Sequence, residues 1–463
     1  MYRSSSLDEE RTLSTTFKKR VWLTPLALVS VAGLLLTGCS NSSNDAGGGG
    51  SKTDCTDYEQ YGTFEGDEVE VYATIVEVEA DQLEESWADF EECTGITVNY
   101  VGDQGFETQI NVRVEGGDAP DLAVFPQPGL LQRIVETGKV VPAPKSVEDN
   151  VDEGWSESWK TYGTVDGTFY ASPLMASVKG WVWYSPSDFT DRGVEVPTTL
   201  AELNDLTKTL AAEKTDTYRP WCVGFGSDAA TGWPGTDWIE DYVLRQSGPD
   251  VYDQWVAGDV KFNSPEIKKA FDSVGDIILN PDNVNGGFGD VSTINTTTFQ
   301  EAGQPILDGN CSLHHQASFY EAQWPEGTTV AKDGDVWAFL LPSEEADAGK
   351  SVTGGGEFVA AFNDNKATAA LQTYMSSALW ANNRVSLGGV ISANKGLDPD
   401  NAQSEIGKEA VRILQDPDTV FRFDASDLMP AAVGSASFWK GMVNWVNGES
   451  TDSVLTSIDK TWP

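Results

Sequence analysis

Between residues 69 and 137 strand-like and helix-like segments take turns without a break, and that alternation removes most folds from consideration. Val69-Glu70-Val71-Tyr72-Ala73-Thr74-Ile75-Val76 begins as an alternating strand and ends apolar. Residues 82–93 carry Leu83, Trp87 and Phe90 at helical spacing. Residues 96–101 read as a second strand, 106–115 as a helix, 121–125 as a short buried strand and 129–137 as another helix. Strands that follow one another through helices need crossovers, which makes them parallel neighbours. The rhythm therefore predicts βαβ units, a mainly parallel sheet and the α/β class.

Farther on the pattern changes. Thr199 is placed to cap a helix over 200–214, and residues 233–310 read as mostly helical, interrupted by Asn280-Pro281 and the glycine-rich 285–289. Strand-like residues return at 335–341 and 357–362, and helices dominate from Ala367. Two α/β lobes with chain crossovers are expected, the second lobe more helical.

The N-terminus says where such a globule lives. The basic cluster Lys18-Lys19-Arg20, the apolar run 26–36 and Leu36-Thr37-Gly38-Cys39 form a secretory signal. Its last four residues resemble a bacterial lipobox, in which the cysteine is lipidated. The run is too short for a membrane span, which needs about 20 apolar residues. Gly47-Gly48-Gly49-Gly50-Ser51 then reads as a flexible tether, and two acyl chains hold where one is marginal.

Removing residues 1–38 takes five Lys/Arg and three Asp/Glu from totals of 30 and 72, leaving 25 basic and 69 acidic residues and a net charge of −44. A surface of that sign repels phosphate backbones, so no nucleic-acid partner is expected, and it disfavours anionic ligands. Besides Cys39 there are four cysteines, which allow three pairings. Cys55–Cys93 with Cys222–Cys311 is preferred because each pair stays within one lobe, and export favours oxidation. The 16 Trp, 13 Tyr and 19 Phe exceed what one core needs and leave some to face a ligand.

Several blocks resemble one family over the mature chain, the extracellular solute-binding proteins of sugar ABC importers. Gly117-Asp118-Ala119-Pro120-Asp121-Leu122 is similar to its helix-to-strand segment, and Tyr170 to Ser185, with Lys179-Gly180, resembles its first crossover strand. Pro197-Thr198-Thr199-Leu200-Ala201-Glu202-Leu203 resembles a helix start of the family, and Gly232 to Asp241, Gly354 to Phe358 and Asp427 to Lys440 resemble its α-glucoside branch. The likeness implies a two-lobe periplasmic-binding-protein-like fold with a hinge, closing on ligand. It divides the chain into a signal peptide (1–38), a lipid-anchored tether (39–66), lobe 1 (67–175), lobe 2 (mainly 176–350), and hinge crossovers with C-terminal helices (351–463). The partners it implies are an α-glucoside or other oligosaccharide and the transmembrane subunits of an ABC permease. Membrane contact would be through the lipid on Cys39 alone, at the extracytoplasmic face of the cell membrane, and no cofactor is called for.

A sugar site needs aromatic planes and directional polar groups. Trp233, in a Gly- and Pro-rich turn, is a candidate plane, and Asp237 either accepts a hydroxyl or caps the helix that follows. Glu77, with Glu79 beside it, and Gln127 follow predicted strands, where open α/β sheets present ligand groups. Lys179 interrupts an apolar strand and must be paired, either to a ligand in the cleft or to a structural carboxylate. Gly354, Gly355 and Gly356 suit a ligand loop, a hinge or a bulge, with Glu357 at its exit; Trp238, Phe438 and Trp439 read as core. No catalytic or metal-binding residues are expected. A glycoside hydrolase is the enzymatic rival and a rigid carbohydrate-binding surface lipoprotein the third class. Neither has a motif: G-x-S-x-G is absent, and the only histidines, His314-His315, are adjacent and cannot form an i,i+4 metal face.

Overall fold

A computed structural model of the chain describes residues 53–346 and 351–463. The signal-peptide, lipidation and Cys39 expectations, and most of the glycine-rich tether, fall outside the described residues. Within Thr53–Pro463, one compact unit, twelve strands are found: β1 Glu68–Ala73, β2 Thr97–Gly102, β3 Leu122–Phe125, β4 Thr164–Val165, β5 Thr168–Phe169, β6 Ala171–Val178, β7 Trp181–Tyr184, β8 Trp221–Cys222, β9 Leu313–Gln316, β10 Trp337–Leu340, β11 Ser351–Ala361 and β12 Val420–Phe423. Apart from the β4–β5 ribbon they form two sheets, one per lobe.

The lobe 1 sheet runs β12-β11-β3-β1-β2, with β6 on the other edge of β11. β1 is parallel to β2 and β3, as the βαβ rhythm requires. Side chains alternate across a strand, and both faces here are apolar. Val69, Val71, Leu122, Val124 and Val359 pack under helices Glu77–Glu85, Ala88–Thr94 and Lys366–Met375. Tyr72, Ala123, Phe125, Phe358 and Ala360 pack under helices Phe106–Gly116, Pro128–Val135 and Lys145–Gly154. The lobe 2 sheet, β10-β7-β9-β8, is likewise covered twice. Val182, Tyr184 and Leu313 face helices Leu200–Ala211, Trp233–Val256 and Pro265–Ile278, while Trp181, Trp183 and Cys222 face the other way. Cys55–Cys93 and Cys222–Cys311 are bonded as preferred, with Cα separations of 5.4 and 5.8 Å. Thr199 caps its helix, accepting from Glu202 N–H at 3.1 Å.

Three details depart from expectation. The helix expected over 82–93 is two helices, broken at Ser86-Trp87 and starting at Glu77. The crossover expected as one strand over 170–185 is two, because the chain turns at Lys179-Gly180, with Gly180 at φ +77°. An added Cβ there would lie 2.7 Å from the Arg245 guanidinium and the Asp241 carboxylate, so glycine is needed for space as well as backbone angle. Third, Gly354-Gly355-Gly356 is no loop. The three lie within β11, paired with β6, and a bulge falls between Gly356 and Phe358. Their lack of side chains lets neighbours close in: a Cβ on Gly354 would stand 2.5 Å from Ser177 O, and one on Gly356 2.4 Å from Met175 O.

Gly354→Ala and Gly356→Ala are each expected to cost about 1–3 kcal/mol in urea denaturation, the usual range for overpacking. Gly355→Ala, whose methyl would meet nothing nearer than Lys179 Cε at 3.4 Å, is expected to leave the midpoint nearly unchanged.

Candidate functional site

Strands β1, β2 and β3 are parallel and end at one edge of their sheet. Just beyond those ends lie Thr74–Glu79, Gln104 and Pro126-Gln127, which form one wall of a cavity of about 460 Å³. Lobe 2 supplies the opposite wall through Ser227, Trp233, Phe299, Phe319 and Trp324, and the crossovers supply the floor through Lys179, Gly355 to Glu357, Asp424 and Asp427. Cavities at strand C-termini are where open α/β sheets take ligands.

Helix Trp233–Val256 organises this floor. It starts after Gly232, at φ +115°, with Pro234 in its first turn. Trp233, Asp237, Glu240, Asp241 and Arg245 recur at three- and four-residue steps, so they share a side. Apart from the half-buried Trp233 all are buried, which makes this a buried face built from charges. Each charge has a partner on a crossover. Lys179 Nζ donates to Asp237 Oδ1 at 2.8 Å and also to Asp424. Glu240 accepts from the N–H groups of Ala425 (2.8 Å) and Ser426 (3.1 Å). Asp241 takes Arg245 at 2.6 Å, His315 at 2.7 Å and the Thr353 hydroxyl, and Arg245 Nε donates to Leu341 O at 2.7 Å.

One lysine cannot neutralise three neighbouring carboxylates, and the protons divide accordingly. Burial would lift Asp424, but Lys179 and the Glu240 and Ser426 hydrogen bonds hold it down to about 2. Burial, reinforced by the Asp424 charge, pushes Asp237 and Glu240 well above the usual range even though Asp237 touches Lys179. Like charges sharing one site thus push apart, Asp424 toward the charged form and Asp237 and Glu240 toward the protonated one. Burial would lower Lys179, and Asp237 with Asp424 reverses that. Oxygens of Asp237, Glu240 and Asp424 lie within 4.8 Å of one another, a grouping able to hold a metal ion. Here the Lys179 ammonium provides the positive charge to two of the three.

Glu77, Gln127, Lys179, Trp233, Gly355, Gly356 and Glu357 all line the cavity. Asp237 does not; it is 2 % exposed and bound to Lys179 behind the wall. Lys179 pairs with structural carboxylates and also lines the cavity. Trp439, read as core, is 4 % exposed yet lines the cavity after a wide π turn over Val433–Phe438. Sequence reasoning also passed over Glu107, Asp424, Asp427, Phe299 and Phe319. The two Phe rings meet Trp233, at 5.1 Å for Phe299 and 6.1 Å for Phe319, and all three are half-buried. Only the tertiary fold joins them; the one local signal, a phenylalanine beside the Thr298 capping box, is common to many helix starts.

Two α/β lobes, charge-lined crossovers between them and a cavity at the strand ends define a cleft-type binding protein. Residues 76–381 match the family of bacterial extracellular solute-binding proteins, and the chain belongs to that family. It is 37 % identical to the osmoprotective compounds-binding protein GgtB of Synechocystis over 402 residues, covering 86 % of this chain and 92 % of that one. It is 36 % identical to the alpha-glucosides-binding periplasmic protein AglE of Rhizobium meliloti, covering 81 % and 82 %. The fold is shared with the bacterial solute receptor AcbH, at a TM-score of 0.70 and 17 % identity over 85 % of this chain and 97 % of that one.

Lys179→Met is expected to cost roughly 3–5 kcal/mol in urea denaturation, because it strands the Asp424 charge in the interior. The sign with pH provides a second check. Without the ammonium the Asp424 carboxyl rises above its unfolded value, so the variant should gain stability as pH falls from 7 toward 5.

Proposed function

We propose that the protein is an extracytoplasmic receptor that binds an α-linked glucoside between its lobes and delivers it to the transmembrane subunits of an ABC importer. The observation that carries this reading is the chemistry of the cavity. Trp233, Phe299 and Phe319 offer apolar ring faces on one wall, and the opposite wall is dense in acceptors. Glu107 Oε2 and Gln127 Oε1 are buried there without a hydrogen-bond partner. Leaving such groups unsatisfied costs free energy, and a pyranose answers both walls, with C–H faces for the rings and hydroxyl donors for the acceptors. The names of AglE and GgtB point to α-glucosides and osmoprotective compounds. Among the described residues no helix is long and apolar enough to cross a membrane.

Binding, not turnover, is the task. Asp237, Glu240, Asp241 and Asp424 already have structural partners on the crossovers, so their arrangement serves the hinge. Closure on ligand would change the surface presented by both lobes, which is what a permease can read.

A thermal-shift screen against α- and β-linked di- and trisaccharides should raise the melting temperature with α-glucosides and leave the sugar uncleaved. Trp233→Ala should weaken that ligand by roughly tenfold or more, about 1.4 kcal/mol or above. Cleavage of the sugar would overturn the reading. In a bacterial host, Cys39→Ser is expected to abolish lipid labelling of the chain.

A further inference from the structure

The proposed sugar site has a charge imbalance that a neutral sugar leaves uncorrected. Its wall carries six carboxyl groups, on Glu77, Glu79, Glu107, Glu357, Asp424 and Asp427, against a single cation, Lys179. Lys179 is already committed to Asp424 and Asp237. Among the described residues no other residue donates to the side chains of Glu79 or Glu357, and Glu357 is met only by its own backbone N–H. The Arg384 guanidinium, 0 % exposed, acts electrostatically on both acids but bonds to neither. Its Nη1 donates to Gly388 O at 2.9 Å and its Nη2 to Gln82 Oε1 at 3.4 Å. On the same wall Gln127, 5 % exposed, keeps an unpartnered Oε1, so the surplus of acceptors extends beyond the acids.

We propose that the cavity prefers glycosides bearing a protonated amine, with the ammonium seated between Glu79 on the lobe 1 wall and Glu357 at the β11 bulge. This rests on the sugar-receptor reading and narrows its ligand class. An ammonium offers three donors and no acceptor, which complements a wall of unpaired acceptors. Bonds from an ionised donor to a carboxylate are roughly twice as strong as neutral ones. A carboxylate withdrawn from water takes up a proton or finds a counter-ion; Arg384 acts on Glu79 and Glu357 without bonding to either, and the amine would be the directly bonded counter-ion. Anionic sugars meet the opposite situation and are excluded.

The groups facing Glu357 agree with this. Burial and the neighbouring Glu79 push its carboxyl up to about 7, against weaker opposition from its own backbone N–H, Arg384 and Lys179. Tyr100, also nearby, donates its hydroxyl to Ile75 O at 2.6 Å and is not available to it. Near neutral pH, therefore, an arriving ammonium displaces the proton that Glu357 carries, and that proton leaves to solvent. A neutral glycoside releases none.

Titration calorimetry on the full chain tests the idea with maltose and trehalose, their 6-amino-6-deoxy derivatives and their 6-carboxylate counterparts. In buffers of different ionisation enthalpy, at least one amine should bind about tenfold tighter than its parent, a gap of about 1.4 kcal/mol. It should do so with net proton release, and the carboxylates should not bind. Glu357→Gln and Glu79→Gln should each bring the amine-to-parent ratio back toward one. Parents binding as tightly as every amine, amine binding without proton release, or a preference that survives both substitutions would each overturn the proposal and leave the sugar-receptor reading standing. Binding by neither parents nor amines would overturn both. The wild-type comparison is decisive even if a variant fails to fold.

Discussion

A single ammonium, on Lys179, lies where the chain passes between its two sheets. One of its partners is on a lobe 2 helix (Asp237), and the other follows β12 (Asp424). Burying charge is expensive unless it is paired and hydrogen-bonded, so these three residues have to stay together. Their requirement propagates outward. Asp424 must hold the Ser426 hydroxyl and the Asp427 N–H in place to keep its other oxygen satisfied, and Glu240 ties down the N–H groups of Ala425 and Ser426. Asp241, Arg245, His315 and Thr353 do the same for the return crossover. The junction between the lobes is thus polar, in contrast to the apolar core of each lobe.

That contrast has a mechanical sense. An apolar seam would resist opening through the loss of buried area. A seam held by a few directional contacts keeps its partners only within a narrow range of geometries, and so favours discrete arrangements. Lys179 also faces the cavity and sits 5.4 Å from the Trp233 ring. A ligand that contacts either residue therefore touches the element holding the crossovers together. In the proposed function, ligand binding and the geometry of the crossovers would be coupled through that shared side chain, with no longer relay required.

The cavity follows from the same architecture. Parallel strands all end at one edge, so their following segments converge there and bring Glu77, Glu79, Gln104 and Gln127 to one wall. The glycines of β11 allow β6 to approach closely beside that wall, and the bulge at Glu357 interrupts the pairing where a polar side chain lines the cavity. Structural and cavity-lining positions are consequently interleaved along the chain, which is why Asp237 is paired behind the wall while Trp233, one helical turn away, lines the cavity.

The sequence by itself determined the α/β class, the parallel order of the first strands and the helix cap at Thr199, and it favoured one of three cysteine pairings. These depend on local periodicity, on capping chemistry and on keeping partners within one lobe, all of which act over short stretches of chain. It also marked Lys179, because a lysine within an apolar strand has no local way to be stable. Local patterns carried less about the second half of the site. Phe299, Phe319 and Trp439 look like ordinary core residues, and Asp424 and Asp427 are two acids among 72. Whether an aromatic faces the interior or a ligand, and whether a carboxylate holds a charge or a proton, depends on neighbours hundreds of residues away. Only the tertiary structure decided these points, because burial and pairing are properties of assembled surfaces.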